Sequence, residues 1–134
     1  MNPATGRVIG RYERHSQSEL ERRLQRAADE QRAWRETSFA DRAARFRSIA
    51  ARLRERAPVI AELIASEMGK PRAQGVAEAE KCASVCDYYA ALAETFLAPE
   101  IVKTEAAESR VVYRPLGPVL CLMPWNFPFW QLFR

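Results

Sequence analysis

The stretch best suited to chemistry is Pro124-Trp125-Asn126-Phe127-Pro128. Its two prolines lock their own φ at about −65° and limit where the intervening side chains can point. The carboxamide of Asn126 carries N–H donors that can stabilise negative charge developing on a substrate oxygen. The same asparagine would also suit a purely structural role, capping a helix that opens at Pro128. Both readings are open on these residues alone. The other candidates are the cysteines Cys82, Cys86 and Cys121. Cys82 and Cys86 stand four apart, on one face of a helix. A zinc site needs more ligands than that, and the single histidine, His15, is remote. No metal is expected; two buried small side chains are the better reading. An odd cysteine count without an export signal also argues against a disulfide framework.

These groups need elements to position them. Val119-Leu120-Cys121-Leu122-Met123 is a continuous apolar run between Leu116-Gly117-Pro118 and Pro124. Such a run predicts a strand buried on both faces, as in a parallel α/β sheet. Asn126 would then lie just beyond the carboxyl end of that strand, where open α/β sheets bind ligands. Cys121 would lie inside it, where desolvation disfavours a thiolate. Residues 108–114 (ESRVVYR) read as a further strand. Pro128 can open a helix that takes in Phe129 to Arg134.

Upstream the pattern is helical. Residues 2–12 are an extended opening, with turn signals at Asn2-Pro3 and Thr5-Gly6 and a brief strand at Val8-Ile9. Ser18 and Glu21 have capping-box spacing, and Leu20, Leu24, Ala27, Gln31 and Trp34 follow as an apolar stripe. Ser38 with Asp41 starts a second helix, whose buried stripe is Phe39, Ala43, Phe46, Ala50 and Leu53. Pro58 suits the first turn of a third helix, which Gly69 ends. The fourth and longest helix runs from about Arg72 to Phe96. Its stripe of small residues, Val76, Ala79, Ala83, Cys86, Ala90 and Ala93, favours close packing in a central position.

Composition narrows the class. The chain has 134 residues, 48% hydrophobic and 28% charged, which is globular and fits one ordinary domain. No run is long and apolar enough for a membrane span, and the opening residues lack secretory-signal features, so a soluble cytoplasmic protein is expected. The net charge of +4 comes from arginines interleaved with acidic residues. That pattern predicts a solvated helix surface laced with ion pairs rather than a nucleic-acid surface.

MPWNFPFWQLFR, residues 123–134, resembles the PWNFP motif region of the aldehyde dehydrogenase superfamily. The opening NPATG (residues 2–6), Glu67-Met68-Gly69-Lys70-Pro71 followed by Glu78, Glu80 and Lys81, Asp87-Tyr88-Tyr89-Ala90, and Arg114-Pro115-Leu116-Gly117-Pro118 are similar to the family's pattern in order and rough spacing. Within the superfamily the sequence is most similar to bacterial NAD(P)-dependent succinate-semialdehyde dehydrogenases. The resemblance implies an α/β fold: a helical N-terminal layer plus the first strands of an aldehyde dehydrogenase-type, Rossmann-like cofactor-binding domain, incomplete. Residues 1–98 would be the helical part of that domain. Residues 99–116 would be a hairpin of the oligomerisation region, and 117–134 the first buried strand, the PWNFP turn and the start of the next helix.

The resemblance also implies a mechanism. A cysteine thiolate attacks the aldehyde carbon, a hydride passes to NAD or NADP, and water releases the acid with help from a glutamate base. Asn126 would be an oxyanion-hole donor. Met123, Pro124, Trp125 and Asn126 would lie along the cofactor, Phe127 would line the aldehyde tunnel, and Arg134 would hold a distal carboxylate of the substrate. The partners implied are a small aldehyde and further copies of the same subunit, with neither nucleic acid nor membrane. None of the three cysteines occupies the nucleophile's motif, and the glutamate base and cofactor loop are also missing. The chain therefore reads as a truncated or fragmentary dehydrogenase, expected to be inactive by itself. The alternative is a non-catalytic helical binding or oligomerisation module.

Overall fold

The computed structural model describes residues 1–134. Its elements run α1 (Gln17–Arg35), α2 (Phe39–Glu55), α3 (Ala57–Met68), α4 (Arg72–Phe96), β1 (Glu100–Ile101), β2 (Arg110–Val111) and α5 (Trp130–Phe133). Local chemistry sets most of these bounds. Ser38 caps α2, its hydroxyl accepting from the Asp41 amide at 3.1 Å. Gly69 ends α3 in the left-handed region at φ 79°. Arg42 donates to the Thr37 carbonyl at 2.7 Å, closing the corner between α1 and α2.

α4 is the centre, packing against α2, α3 and α5. The core joins Ala50 and Leu53 of α2 to Cys82, Ala83 and Cys86 of α4, with Phe46, Ile60, Phe129, Trp130 and Phe133 packed against it. The small residues of α4 permit this closeness. A Cβ on Gly75 would stand 2.7 Å from the Ala61 Cα, so α3 and α4 approach there at backbone distance. Val76, assigned to the same stripe, is exposed instead.

α1 begins two residues earlier than expected. Ser16, rather than Ser18, is the cap, accepting from the Glu19 amide at 3.2 Å. The helix buries no residue, and Leu20 and Leu24 of its apolar stripe are exposed. Its polar face is laced with ion pairs, Glu19 with Arg22 and Arg23, and Asp29 with Arg32.

The extended segments are shorter than their composition suggested. Val8 and Ile9 form no strand and are exposed. Within 108–114 only Arg110 and Val111 pair, antiparallel with Ile101 and Glu100. Residues 119–123 are neither strand nor buried, with Leu120 and Leu122 each 84% exposed. A strand exists through its ladder, and no segment of residues 1–134 forms a backbone hydrogen bond to this run. α5 follows Pro128 as expected.

Candidate functional site

The buried face of α4 includes one charge, Glu78, among Gly75, Ala79, Cys82, Ala83 and Cys86. Its partner is Lys70, carried just past the left-handed Gly69 that turns the chain from α3 towards α4. The two side chains are only 6% and 2% exposed, and Lys70 Nζ donates to Glu78 Oε2. Removing two charges from water is costly unless every donor and acceptor finds a partner. Here each does. Lys70 Nζ also donates to the main-chain carbonyl of Asn126 at 3.1 Å and sits 3.7 Å from the centroid of the Phe127 ring, within cation–π range. The other carboxylate oxygen of Glu78, Oε1, accepts from the amides of Phe129 at 3.1 Å and Trp130 at 3.0 Å. Those amides open α5 and have no intrahelical acceptor. Glu78 therefore caps α5 from a different helix, with the charge sign that a helix N-terminus favours.

One buried ion pair thus brackets the turn, Lys70 at residues 126–127 and Glu78 at 129–130. Lys81 adds its ammonium over the Trp130 ring at 3.9 Å. Between α4 and the turn lies a cleft of about 230 Å³, lined by Lys70, Gln74, Ala77, Glu78, Lys81, Phe127 and Trp130. A larger groove of about 520 Å³ between α2 and α4 is mostly apolar and includes none of the turn residues.

The turn residues themselves face outward. Asn126 is exposed while its carbonyl is held, Trp125 is 77% exposed, Pro124 is exposed and Met123 is half-buried. Phe127 lies under the Lys70 ammonium. Arg134 is exposed, and its main-chain carbonyl accepts from the Tyr89 hydroxyl at 3.4 Å. The structure therefore gathers Asn126 and Phe127 around Lys70 and Glu78, and ties Arg134 separately to the outer part of α4. In the sequence Lys70 and Glu78 stand out only as pattern residues, with no role attached. A signal was available: Glu78 stands three after Gly75 and four before Cys82, on the small-residue face, where a lone carboxylate demands a partner.

The cysteines do not form a reactive site. Cys82 and Cys86 are buried in the α2–α4 core, as their spacing suggested, and burial pushes the Cys82 thiol up to about 11 with the Glu78 charge adding to it. The Cys86 thiol is raised as well, first by burial and then by Asp87. Cys121 is exposed, because the strand expected to enclose it does not form.

Comparison with known proteins agrees with this architecture. The model of the aldehyde dehydrogenase family matches residues 1–134. A probable NADP(+) succinate-semialdehyde dehydrogenase of Synechocystis is 45% identical over 134 residues, and the NAD(P)+ succinate semialdehyde dehydrogenase of Escherichia coli is 42% identical; both alignments take in all of this chain. The chain spans 30% and 29% of the length of those two curated relatives. Among solved structures, Gox0499 superposes with a TM-score of 0.94 at 33% identity, over 98% of this chain and 29% of that one. The succinic semialdehyde dehydrogenase of Streptococcus pyogenes, solved with NADP+, superposes with a TM-score of 0.88 at 28% identity, over 94% of this chain and 28% of that one. The mostly helical arrangement with two short strands is thus the N-terminal part of the aldehyde dehydrogenase fold.

Proposed function

The chain belongs to the aldehyde dehydrogenase family, and from that premise we propose that it supplies the N-terminal part of an enzyme oxidising succinate semialdehyde, or a similar carboxylated aldehyde, with NAD or NADP. The observation that carries this reading is an exposed asparagine on a turn whose main chain is fixed from beneath by a buried lysine. A carboxamide held in this way can meet an oxygen as it gains charge without first reorganising, which is the main source of oxyanion stabilisation. The substrate class is supported by the relatives named above, which oxidise succinate semialdehyde by name.

The residues present fit one side of a nicotinamide cofactor. Met123, Pro124 and Trp125 form a largely apolar strip with no protein cover beyond the half-buried methionine, suited to lie along a flat, mostly apolar group. The strip offers no cationic side chain for phosphates. When bound, the cofactor supplies the hydride acceptor. The work of this chain is positional: the Asn126 amide donates to the aldehyde oxygen, Phe127 walls the approach, and Arg134 pairs with the distal carboxylate through its planar donor fork. Residues 1–134 hold no thiol in the nucleophile's motif, and the buried Cys82 and Cys86 keep their protons, so turnover is assigned to the polypeptide that includes the remaining length of the relatives. A cytoplasmic location and assembly through the exposed β1–β2 hairpin belong to the same proposal.

The test is Asn126→Ala in that complete polypeptide, with NAD(P)+-dependent oxidation of succinate semialdehyde as the readout. A fall in kcat of roughly 10²–10³-fold is expected. Unchanged kcat with lowered thermal stability would reduce Asn126 to a turn residue.

A further inference from the structure

We propose that Lys70 and Glu78 form a positioning pair for the reaction: together they fix the attitude of residues 126–130 and so aim the Asn126 amide. This rests on the oxyanion reading of Asn126 given above. Neither residue touches substrate in the proposal; both act through the main chain of the turn.

The geometry separates their tasks. Lys70 holds the upstream half of the turn, through the Asn126 carbonyl at 3.1 Å and the Phe127 ring at 3.7 Å. Fixing a residue's own carbonyl fixes the peptide plane beside its Cα, and with it the direction in which the side chain departs. Glu78 holds the downstream half, through the Phe129 and Trp130 amides, while its second oxygen anchors the lysine. The carboxylate must use both oxygens in opposite directions. Glutamine has a single acceptor oxygen, so it cannot serve the ammonium and the two amides together. Lys70 in turn is seated on a rigid corner, between the left-handed end of α3 and the start of α4, where α3 and α4 touch at Gly75 and Ala61. The turn is therefore referenced to a corner where two helices meet at backbone distance. A pair that only stabilised the fold would not need to hold the chain on both sides of Pro128.

The test compares Lys70→Met, Glu78→Gln and the double variant in the complete polypeptide. Lys70→Met keeps the apolar stem but removes the donor to Asn126. The expected result is a fall in kcat of roughly tenfold to a hundredfold, with KM for aldehyde and cofactor within about twofold. Glu78→Gln should lower both kcat and melting temperature, because one half of the clamp must open. The double variant is neutral at both positions and leaves the introduced carboxamide free to accept from Phe129 and Trp130. It should recover the melting temperature and the slow hydrogen exchange of those two amides, yet keep the low kcat. Recovery of kcat along with stability would make the pair structural only and overturn the proposal. If Lys70→Met fails to fold, the Glu78→Gln and double-variant comparison decides alone. Adding Lys70→Met to Asn126→Ala separates the two claims. Normal kcat in Asn126→Ala removes the oxyanion reading, whereas a full, additive further loss from Lys70→Met would leave that reading intact and remove the positioning role.

Discussion

Glu78 Oε1 and the Trp130 amide lie 3.0 Å apart, so a carboxylate on the buried face of one helix terminates the start of another 52 positions later. The first free amides of a helix are commonly satisfied by the residue just before it. Here the acceptor comes from α4, and α5 has no side-chain cap of its own. The placement of α5 is thus a tertiary matter, with Phe129, Trp130 and Phe133 laid on the α2–α4 core.

The close approach of α3 and α4 at Gly75 gives the first prediction. A methyl on Gly75 would lie 2.7 Å from Ala61 Cα and 2.9 Å from Ala61 Cβ, both on a packed helix that cannot yield locally. Gly75→Ala should lower unfolding stability by about 1–3 kcal/mol, despite the helix propensity that alanine gains. Urea titration of the two proteins measures it, and a more stable variant would show that α3 and α4 do not meet this closely.

A second prediction concerns a cap. Ser38 both accepts from the Asp41 amide and donates to the Asp41 carboxylate at 2.7 Å. Ser38→Ala should cost about 1 kcal/mol, and Ser38→Asp, which keeps the acceptor, should cost much less. Thermal unfolding followed by circular dichroism distinguishes them.

Such caps explain why the helices were readable. The start of α2 and the end of α3 depend on neighbours within a few positions, where pattern suffices, whereas α4 starts after Pro71 without a side-chain cap. At α1 both Ser16 and Ser18 offer a capping hydroxyl, and the choice of Ser16 shifted the start by two residues. The run 119–123 has the composition of a buried strand but no partner in residues 1–134 to pair with, so composition alone misplaced it. The oxyanion candidate was readable as a motif. Its support was not, because Lys70 reaches Asn126 across 56 positions and no local spacing records that contact.

The third prediction follows from the thiols. Cys121 is exposed, and Cys82 and Cys86 are buried with raised pKa values. A thiol-specific disulfide reagent should modify Cys121 quickly and the other two only on unfolding. Equal rates at all three would contradict the packing of α2 on α4. The same burial carries a pH dependence. The folded state holds the Cys82 proton up to about 11, whereas a thiol in the unfolded chain loses it near about 8.5. Its contribution to stability is therefore fully present below that lower value and is lost as pH rises through about 11. Cys82→Ala should show a shallower loss across the same alkaline window.

Hydrogen exchange gives the fourth prediction. Residues 119–123 make no backbone hydrogen bond, whereas Cys82 and Cys86 lie inside α4 and the core. In the 134-residue chain the amides of 119–123 should exchange at close to unprotected rates, while those of Cys82 and Cys86 wait for opening of the helices. Strong protection at Leu120 or Leu122 would mean that the run has found a strand partner, in another molecule or within its own.

The distance along the chain from Lys70 to Asn126 has a consequence in time. α2, α3 and α4 are linked by very short connections and can assemble from near neighbours, whereas the turn must close a loop of 56 positions. Loop closure grows costlier with length, and contacts of high sequence separation form late. The anchor is therefore expected to be ready before the turn arrives, with the Lys70–Asn126 contact forming late. In mild denaturant the reverse order is expected, with the segment bearing Asn126 letting go first while α2, α3 and α4 are still whole.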